Sequence, residues 1–598
     1  MPRLGRGFSF AILIPMSPTV TVEKEIHSKE ESLEDLKLHP LTLHLLKKRG
    51  FTTKEAIKDF INPSYEDHIG DPFGIYGMEK AVNRILQAIK KKEKIAVYSD
   101  YDCDGVPGGV LLREFFDTIG YPVEMYIPHR HNEGYGVHNH AIDALKKKKV
   151  KLIITVDLAI TNIEEVAYAK TKGIDFIVTD HHLPIHNDEG KQAVPDAVAV
   201  LNSKQDVCAY EDDMLCGCAV AWKLACAVLS RLKTDESLGE VYTKARELPE
   251  GFEKWMLDLV GISTIADMVP LQKENRALAY FGLKVLKKTK RPGLLHIFNE
   301  QRVKKENLTE DDIAFTIAPR INAASRMGDP IQAHHMLYER DVEKAEGYAR
   351  DLEDLNTSRK QEVKDIVSTI SFAADVYKND VIVVGDISWG PGILGLIAQK
   401  IIDETSKPVF VWGQGDDKSQ VKGSCRSIGD VHVVDLMAHV GHDVFVHWGG
   451  HEQAGGFAVL LEKIGELSDA LNGALKFVEK KDISKEVSVA DVELRMDDIH
   501  DMLYRAIEVL SPFGVGNPKP IFSFKNVLPL SSKRFGKKNE HLEVIYPTSG
   551  NGKIKAIQFF TTTETEERAK KGHMLLANLE KSYFGGRTEL RLRIVNIQ

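Results

Sequence analysis

Five short β-rich runs between Lys94 and Asn202 constrain this chain more than any other feature. They are Lys94–Ser99 (KIAVYS), Val123–Pro128 (VEMYIP), Lys151–Val156 (KLIITV), Asp175–Thr179 (DFIVT) and Asp196–Asn202 (DAVAVLN), with helical stretches such as NHAIDALKKKK between them. Strands alternating with helices predict a parallel, doubly wound α/β sheet. Ligands of such a sheet bind beyond the carboxyl ends of its strands. Three of the runs stop at acidic residues: KIAVYS enters Asp100-Tyr101-Asp102-Cys103-Asp104-Gly105, KLIITV ends in Asp157, and DFIVT ends in Asp180-His181-His182.

Aspartates converging on one sheet edge repel one another unless cations neutralise them. A single D-x-D-x-D-G run is a weak sign, because calcium loops and plain turns also contain it. Repetition at three strand ends carries the reading, since a purely structural account must explain so much uncompensated charge. Aspartate oxygen together with imidazole nitrogen suits manganese, with magnesium as the rival. Two such ions about 3.5–4 Å apart clamp both the attacking and the leaving oxygen of a phosphoryl displacement.

The chain has 598 residues, too many for one core. The reading divides it into an N-terminal extension and helical region (1–75), a catalytic α/β domain (76–300), a helical connector (301–372), a second α/β domain (373–480) and a β-rich domain (481–598). Ser28–Pro63 reads as helical, with Gly50 at a helix end. Leu215 to Asn299 is mainly helical, and Val342–Ser368 is a polar helix of the kind that bridges domains. Val381–Asp386 opens the second α/β unit. Beyond Lys480, five β-rich runs separated by turn residues predict a small closed barrel of the OB type.

Net charge is −8, so a nucleic-acid surface has to be local rather than global. One such surface is Ser531–His541 (SSKRFGKKNEH), read as a loop that offers Lys533, Arg534 and Phe535 for charge and base stacking. Another is WGGHEQAGGF, where His451 lies between glycine pairs. Glycine allows close backbone approach to a ligand, and the histidine is either a phosphate donor or a satisfied turn residue. Six cysteines in so long a chain suggest a reducing compartment. The apolar run Phe8–Ile14 is short, ends at Pro15 and lacks a cleavage site, so secretion is not expected. No stretch approaches the ~20 apolar residues of a membrane span, and a soluble, cytoplasmic protein is expected. His334-His335, without a preceding aspartate, reads as helix core and surface; Cys208, Cys216, Cys218 and Cys226 read as buried thiols.

DYDCDG, TVD, TDHH and STIADMVP, the last with Asp267, resemble the four motifs of the DHH phosphoesterase superfamily. IPHRHNEGYG, APRINAASRMGDP, WGPGILGLIAQKI, SCRSIGD, GGHEQAGGF and SPFGVGNPKPIF resemble, in order, segments of its RecJ family of bacterial single-strand-specific exonucleases. The similarity runs from about Leu33 to the C-terminus. It implies a DHH domain joined by a long helix to a DHH-associated domain, followed by an OB-fold. It also implies that Asp100, Asp102, Asp104, Asp157, His181 and Asp267 hold two divalent ions, manganese preferred and magnesium possible, with Asp157 bridging. Asp180 would orient a ligand and His182 would face the scissile phosphate. Arg130, Arg320, Arg426 and Ser427 match positions that hold DNA phosphates, including the one at the 5′ end, and His451 matches a GGH signature.

The implied activity is metal-dependent 5′-to-3′ hydrolysis of single-stranded DNA to mononucleotides, in DNA repair and recombination. A single-strand-binding protein and a helicase are the expected protein partners, and a monomer the expected state. Two alternatives stand beside this: a phosphodiesterase of short oligonucleotides or cyclic dinucleotides, and a catalytically silent DNA-binding scaffold. The C-terminal domain and the arginines favour a long polymer, and the full set of acidic ligands argues against silence. The pattern departs from the family at Ala159, His129, Gly390 and Pro107-Gly108. A positive φ at Ala159 would cost about 1 kcal/mol or more. Gly390 removes one possible substrate contact, and no departure removes a ligand.

Overall fold

The computed structural model describes residues 33–598 apart from 188–189, 372–375, 416–418, 482–488, 537–538, 562, 573 and 584–587. The run Phe8–Ile14 lies outside the described residues. The helices used below are α1 (Pro40–Lys48), α2 (Lys54–Ile61), α3 (Gly105–Thr118), α4 (Gly217–Leu232), α5 (Leu257–Ala266), α6 (Ala318–Met327), α7 (Val342–Ser371) and α8 (Leu394–Thr405). Gly50 follows α1 at φ 89°, the left-handed conformation that ends many helices.

The first sheet contains β1 (Lys94–Ser99), β2 (Glu124–Tyr126), β3 (Val150–Val156), β4 (Asp175–Thr179) and β5 (Ala199–Leu201) in the order β2-β1-β3-β4-β5, all parallel. Alternate side chains enter different cores. Ile95, Val97, Leu152, Ile154 and Ile177 face one, while Ala96, Tyr98, Ile153, Phe176 and Val178 face the other. Burial on both faces is why these strands read as unbroken apolar runs. The ladder continues one residue past each of the three acidic strands. The Asp100, Asp157 and Asp180 amides donate to the carbonyls of Val156, Thr179 and Leu201. Adjacent strands therefore deliver their terminal aspartates to the same level of the sheet edge.

The second sheet contains β6 (Ile382–Gly385), β7 (Val409–Gln414), β8 (Gln420–Arg426), β9 (Phe445–His451) and β10 (Ala454–Leu460), in the order β9-β10-β8-β7-β6. Only β6 and β7 pair in parallel. The α7 helix joins both units. Its Ala349 and Leu352 lie in the core of the first, and its Val363, Val367 and Ile370 in a core with Ile382, Leu394 and Val409.

The third sheet has seven strands, two more than expected: β11 (Val492–Glu493), β12 (Phe522–Lys525), β13 (Ser531–Phe535), β14 (His541–Pro547), β15 (Lys553–Gln558), β16 (Met574–Ser582) and β17 (Glu589–Ile597). Their order is β11-β12-β16-β17-β15-β14-β13. The additional strands are the two edges, which are short or polar and carry little periodic signal. Lys533, Arg534 and Phe535 therefore lie on edge strand β13, paired with β14, and not in a loop. The N-terminal helical region is not a unit by itself. Leu41, Leu45, Leu46, Ile57 and Phe60 share one core with Leu503, Phe522, Phe524 and Leu592, and Thr42 Oγ1 donates to the Ala506 carbonyl at 2.7 Å. This combined unit meets the first domain where the Leu271 amide donates to Val515 at 2.7 Å and Arg276 Nε to Phe60 at 2.6 Å. No helix among the described residues is long and apolar enough to cross a membrane.

Candidate metal centre

The acidic turn after β1 is built by its own amides. Asp102 Oδ1 accepts from the Asp104 and Gly105 N–H groups at 2.8 and 3.1 Å, turning the strand into α3. Asp104 is held from across the site, where the first amides of α4, Gly217 and Cys218, donate to its two oxygens at 2.6 and 2.8 Å. The positive end of α4 thus faces a carboxylate. Asp267 caps the C-terminal end of α5. His181 Nε2 lies 3.2 Å from Asp157 Oδ1, 3.5 Å from Asp267 Oδ2 and 3.8 Å from Asp104 Oδ2.

Ligand atoms of Asp100, Asp102 and Asp157 all lie within 4.8 Å of one another, as do those of Asp104, His181 and Asp267, and those of Asp157, His181 and His182. Asp157 and His181 connect the groups, so the six expected ligands form one continuous cluster. The donor set fits divalent cations. Asp100 Oδ1, Asp157 Oδ1 and His181 Nε2 are buried without a hydrogen-bond partner among the described residues, which is costly unless something satisfies them. Burial and neighbouring carboxylates push Asp100 and Asp157 well above the usual range, Asp104 up to about 6 and Asp267 up to about 9. Burial holds His181 down to about 3, which keeps its imidazole neutral and able to ligate. A cation at the centre removes the charge conflict.

Asp180 does not join this set. It is wholly buried. Its Oδ1 accepts from the amides of His181 (2.7 Å) and His182 (3.1 Å) and from His182 Nδ1 (2.8 Å), and its Oδ2 accepts from the Ile160 amide at 2.9 Å. It holds the backbone of His181, an expected ligand, and both the backbone and the ring of His182. Burial would raise its pKa, but these bonds outweigh it and hold the carboxyl low. For half-exposed His182, burial opposes the charge while the bond to Asp180 prevails and raises the pKa. Ala159 has the expected positive φ, 92°, and Asp157 a φ of 63°. This strained turn, costing about 1–2 kcal/mol per residue, brings the Ile160 amide to Asp180.

The arginines differ in what they already hold. Arg130 lies over the Tyr101 ring at 5.1 Å, beside the acidic turn. Arg426 Nη1 donates to the Cys425 carbonyl at 2.8 Å and to Ser424 Oγ at 3.3 Å, with no carboxylate partner among the described residues. Ser427 is buried and bonds Asp430 at 3.1 Å. Arg320 is buried and already paired, through Nε, with Glu353 at 2.6 Å. His451 is exposed at the end of β9, opposite Ala454. In the third sheet Lys533 pairs with Glu543 at 2.9 Å and Arg534 with Glu566 at 2.6 Å, while Phe535 packs on His541. That domain's own acids therefore already pair both cations.

Two functional positions escaped the sequence reading. The Tyr135 hydroxyl donates to the Asp157 carbonyl at 3.2 Å and lies 3.2 Å from His182 Nδ1. Its only local sign is its place between Gly134 and Gly136, both at positive φ. Gly217 touches Asp157 so closely that an added Cβ would lie 2.5 Å from the Asp157 Cβ. Gly217→Ala is expected to displace Asp157, to cost about 1–3 kcal/mol by overpacking and to weaken metal binding roughly 10–100-fold. Calorimetric titration with manganese measures this, and an unchanged affinity would show that the contact is dispensable.

Residues 94–261 match the DHH family, N-terminal domain; 378–476 match the DHHA1 domain; and 490–596 match the RecJ OB domain. The single-stranded-DNA-specific exonuclease RecJ of Bacillus subtilis is 34% identical over 526 residues, 88% of this chain and 63% of that protein. The chain thus spans less than two thirds of that relative. The protein of the same name from Haemophilus influenzae is 29% identical over 585 residues, covering 94% of this chain and 96% of its own. A crystal structure of RecJ in complex with Mn2+ from Thermus thermophilus shares the fold, with a TM-score of 0.75 over 95% of this chain and 77% of that one at 24% identity. A crystal structure of exonuclease RecJ bound to manganese is 29% identical, with a TM-score of 0.57 over 69% of this chain and 97% of its own. With the three domains in this order around one acidic cluster, the chain belongs to the RecJ family of the DHH superfamily.

Proposed function

We propose that this chain is a metal-dependent 5′-to-3′ exonuclease that hydrolyses single-stranded DNA to mononucleotides, in cytoplasmic DNA repair and recombination. The carrying observation is the buried acidic cluster at three adjacent strand ends, with His181 neutral among the carboxylates. The names of the relatives support the substrate, and the crystal structure of exonuclease RecJ bound to manganese supports the ion. Manganese is the preferred ion, because a nitrogen donor sits in the set.

Asp100, Asp102 and Asp157 would hold one ion and Asp104, His181 and Asp267 the other, with Asp157 between them. When bound, the ions polarise the scissile phosphoryl group and acidify the attacking water. His182, protonated and fixed by Asp180, faces the phosphate and can release a proton to the leaving oxygen. Arg130, Arg320, Arg426, Ser427 and His451 hold backbone phosphates, Arg320 by leaving its ion pair with Glu353. Lys533, Arg534 and Phe535 lie on an edge of the third sheet that would bind a strand by exchanging Glu543 and Glu566 for phosphate. The enzyme works as a monomer, with a single-strand-binding protein and a helicase supplying its substrate.

The test uses DNA labelled at either end, in manganese, with duplex and RNA controls. The expected result is immediate release of 5′-labelled mononucleotide, while the 3′ label persists in shortening strands. Release from the 3′ end first, or no cleavage, would overturn the reading.

A further inference from the structure

The α7 helix carries cations that the metal chemistry leaves unused. Arg359 Nη2 donates to Asn356 Oδ1 at 2.9 Å. Asn356 is wholly buried, and its Nδ2 has no partner among the described residues. Among the described residues neither Arg359 nor its exposed neighbour Lys360 forms an ion pair. The charges of Arg320 and Arg359 lie close enough to Lys360 to lower its pKa. On α6, Arg326 reaches across to the second unit, with Nη1 donating to the Gly392 carbonyl at 2.9 Å and Nε buried without a partner. Arg130, Arg359 and Arg426 lie within electrostatic reach of it, as does Asp102. Burial and this mutual repulsion hold Arg359 down to about 10 and Arg326 to about 9.

Cations that repel one another while partly withdrawn from water are costly unless an anion joins them. The internal acids do not suffice: Glu353 is already engaged by Arg320, and Asp102 belongs to the metal cluster. The α6 helix also carries Asn322, whose Oδ1 accepts the Cys103 amide of the acidic turn at 2.9 Å. The cationic seam therefore adjoins the metal centre.

We propose that Arg359 and Lys360 form a phosphodiester subsite on α7, beside the metal centre, with Asn356 as its positioning residue. The subsite rests on the exonuclease reading, since its ligand is the backbone of the bound strand. Guanidinium suits this task, offering paired N–H donors to two phosphate oxygens. Its place on α7 matters because that helix lies in the cores of both α/β units. A phosphate gripped there is fixed relative to the catalytic sheet and the second sheet at once.

The experiment measures binding of a fluorescent single-stranded oligonucleotide to the full chain over a salt series, in EDTA so that cleavage is off and at about pH 6, where the metal-free fold keeps more of its stability, with folding checked by circular dichroism. Arg359→Ala is expected to weaken binding roughly tenfold and to flatten the slope of log affinity against log salt by about 0.7, the loss of one phosphate contact. Lys360→Ala, at an exposed position that threatens folding less, should flatten the slope in the same direction. Arg359→Lys should recover the slope, which a merely structural role would not predict. An unchanged slope in both alanine variants, with wild type binding the strand, would overturn the subsite alone. Failure of wild type to bind the strand would overturn the exonuclease reading, and the subsite with it.

Discussion

Asp157→Asn is expected to lower turnover on single-stranded DNA by on the order of 10³-fold or more while leaving strand binding nearly intact. Asp157 is the carboxylate shared between ligand groups, 3.2 Å from His181 and within reach of Asp100 and Asp102. The amide keeps the shape of the side chain, so the close contact with Gly217 survives. What disappears is one full negative charge at the proposed meeting point of the two ions. The strand is held elsewhere, by the cationic residues, so affinity should change little. In the metal-free protein the same substitution should raise the melting midpoint, because it removes a buried charge from a set of repelling carboxyls. Turnover within tenfold of wild type would show that Asp157 does not bridge. A parallel loss of turnover, binding and melting temperature would point to misfolding.

Removing divalent ions should destabilise the protein, and more so at high pH. Asp104 and Asp267 ordinarily titrate near 3.8, but in the metal-free fold burial and neighbouring carboxylates raise them to about 6 and about 9. Within those windows the native state binds protons that the unfolded state has released. Stability therefore falls as pH rises, from near 4 to about 6 for Asp104 and on to about 9 for Asp267. Bound cations reverse this by stabilising the ionised carboxylates, and protons compete with them at low pH. An ion at a hundred times its dissociation constant contributes about 2.7 kcal/mol. Melting curves in manganese and in EDTA, at about pH 6 and about pH 8, should show the larger shift at the higher pH. A shift of equal size at both, or none, would mean that the acidic cluster is not a cation site.

The catalytic sheet and most of its ligands were legible because both depend on local pattern. An apolar run of five or six residues bounded by helices announces a buried parallel strand, and an acid directly after it must lie at the carboxyl end. That rule places Asp100, Asp102, Asp104, Asp157 and Asp180 at the sheet edge; which of them hold metal, with His181 among the ligands, was implied by the resemblance. Asp267 does not follow from the rule at all, since it ends a helix, and only the resemblance pointed to it. The strain at Ala159 was also foreseeable, from the missing glycine.

Tertiary structure decided the rest. The bond that Asp180 accepts from the Ile160 amide comes from a neighbouring strand's turn. Gly217 lies far along the chain from Asp157, and its need for a bare Cα exists only where the two backbones touch. Lys533 and Arg534 looked free in the sequence but are neutralised by Glu543 and Glu566. The N-terminal helices have an apolar face whose partner is the C-terminal domain, at the opposite end of the chain. Periodicity reports which side of an element is buried and nothing about what covers it. Local backbone geometry is dictated by neighbouring residues, so sequence alone determined the strands and their acidic ends. The pairing of charges and faces is set by packing between distant segments, which leaves no trace in any short window of sequence.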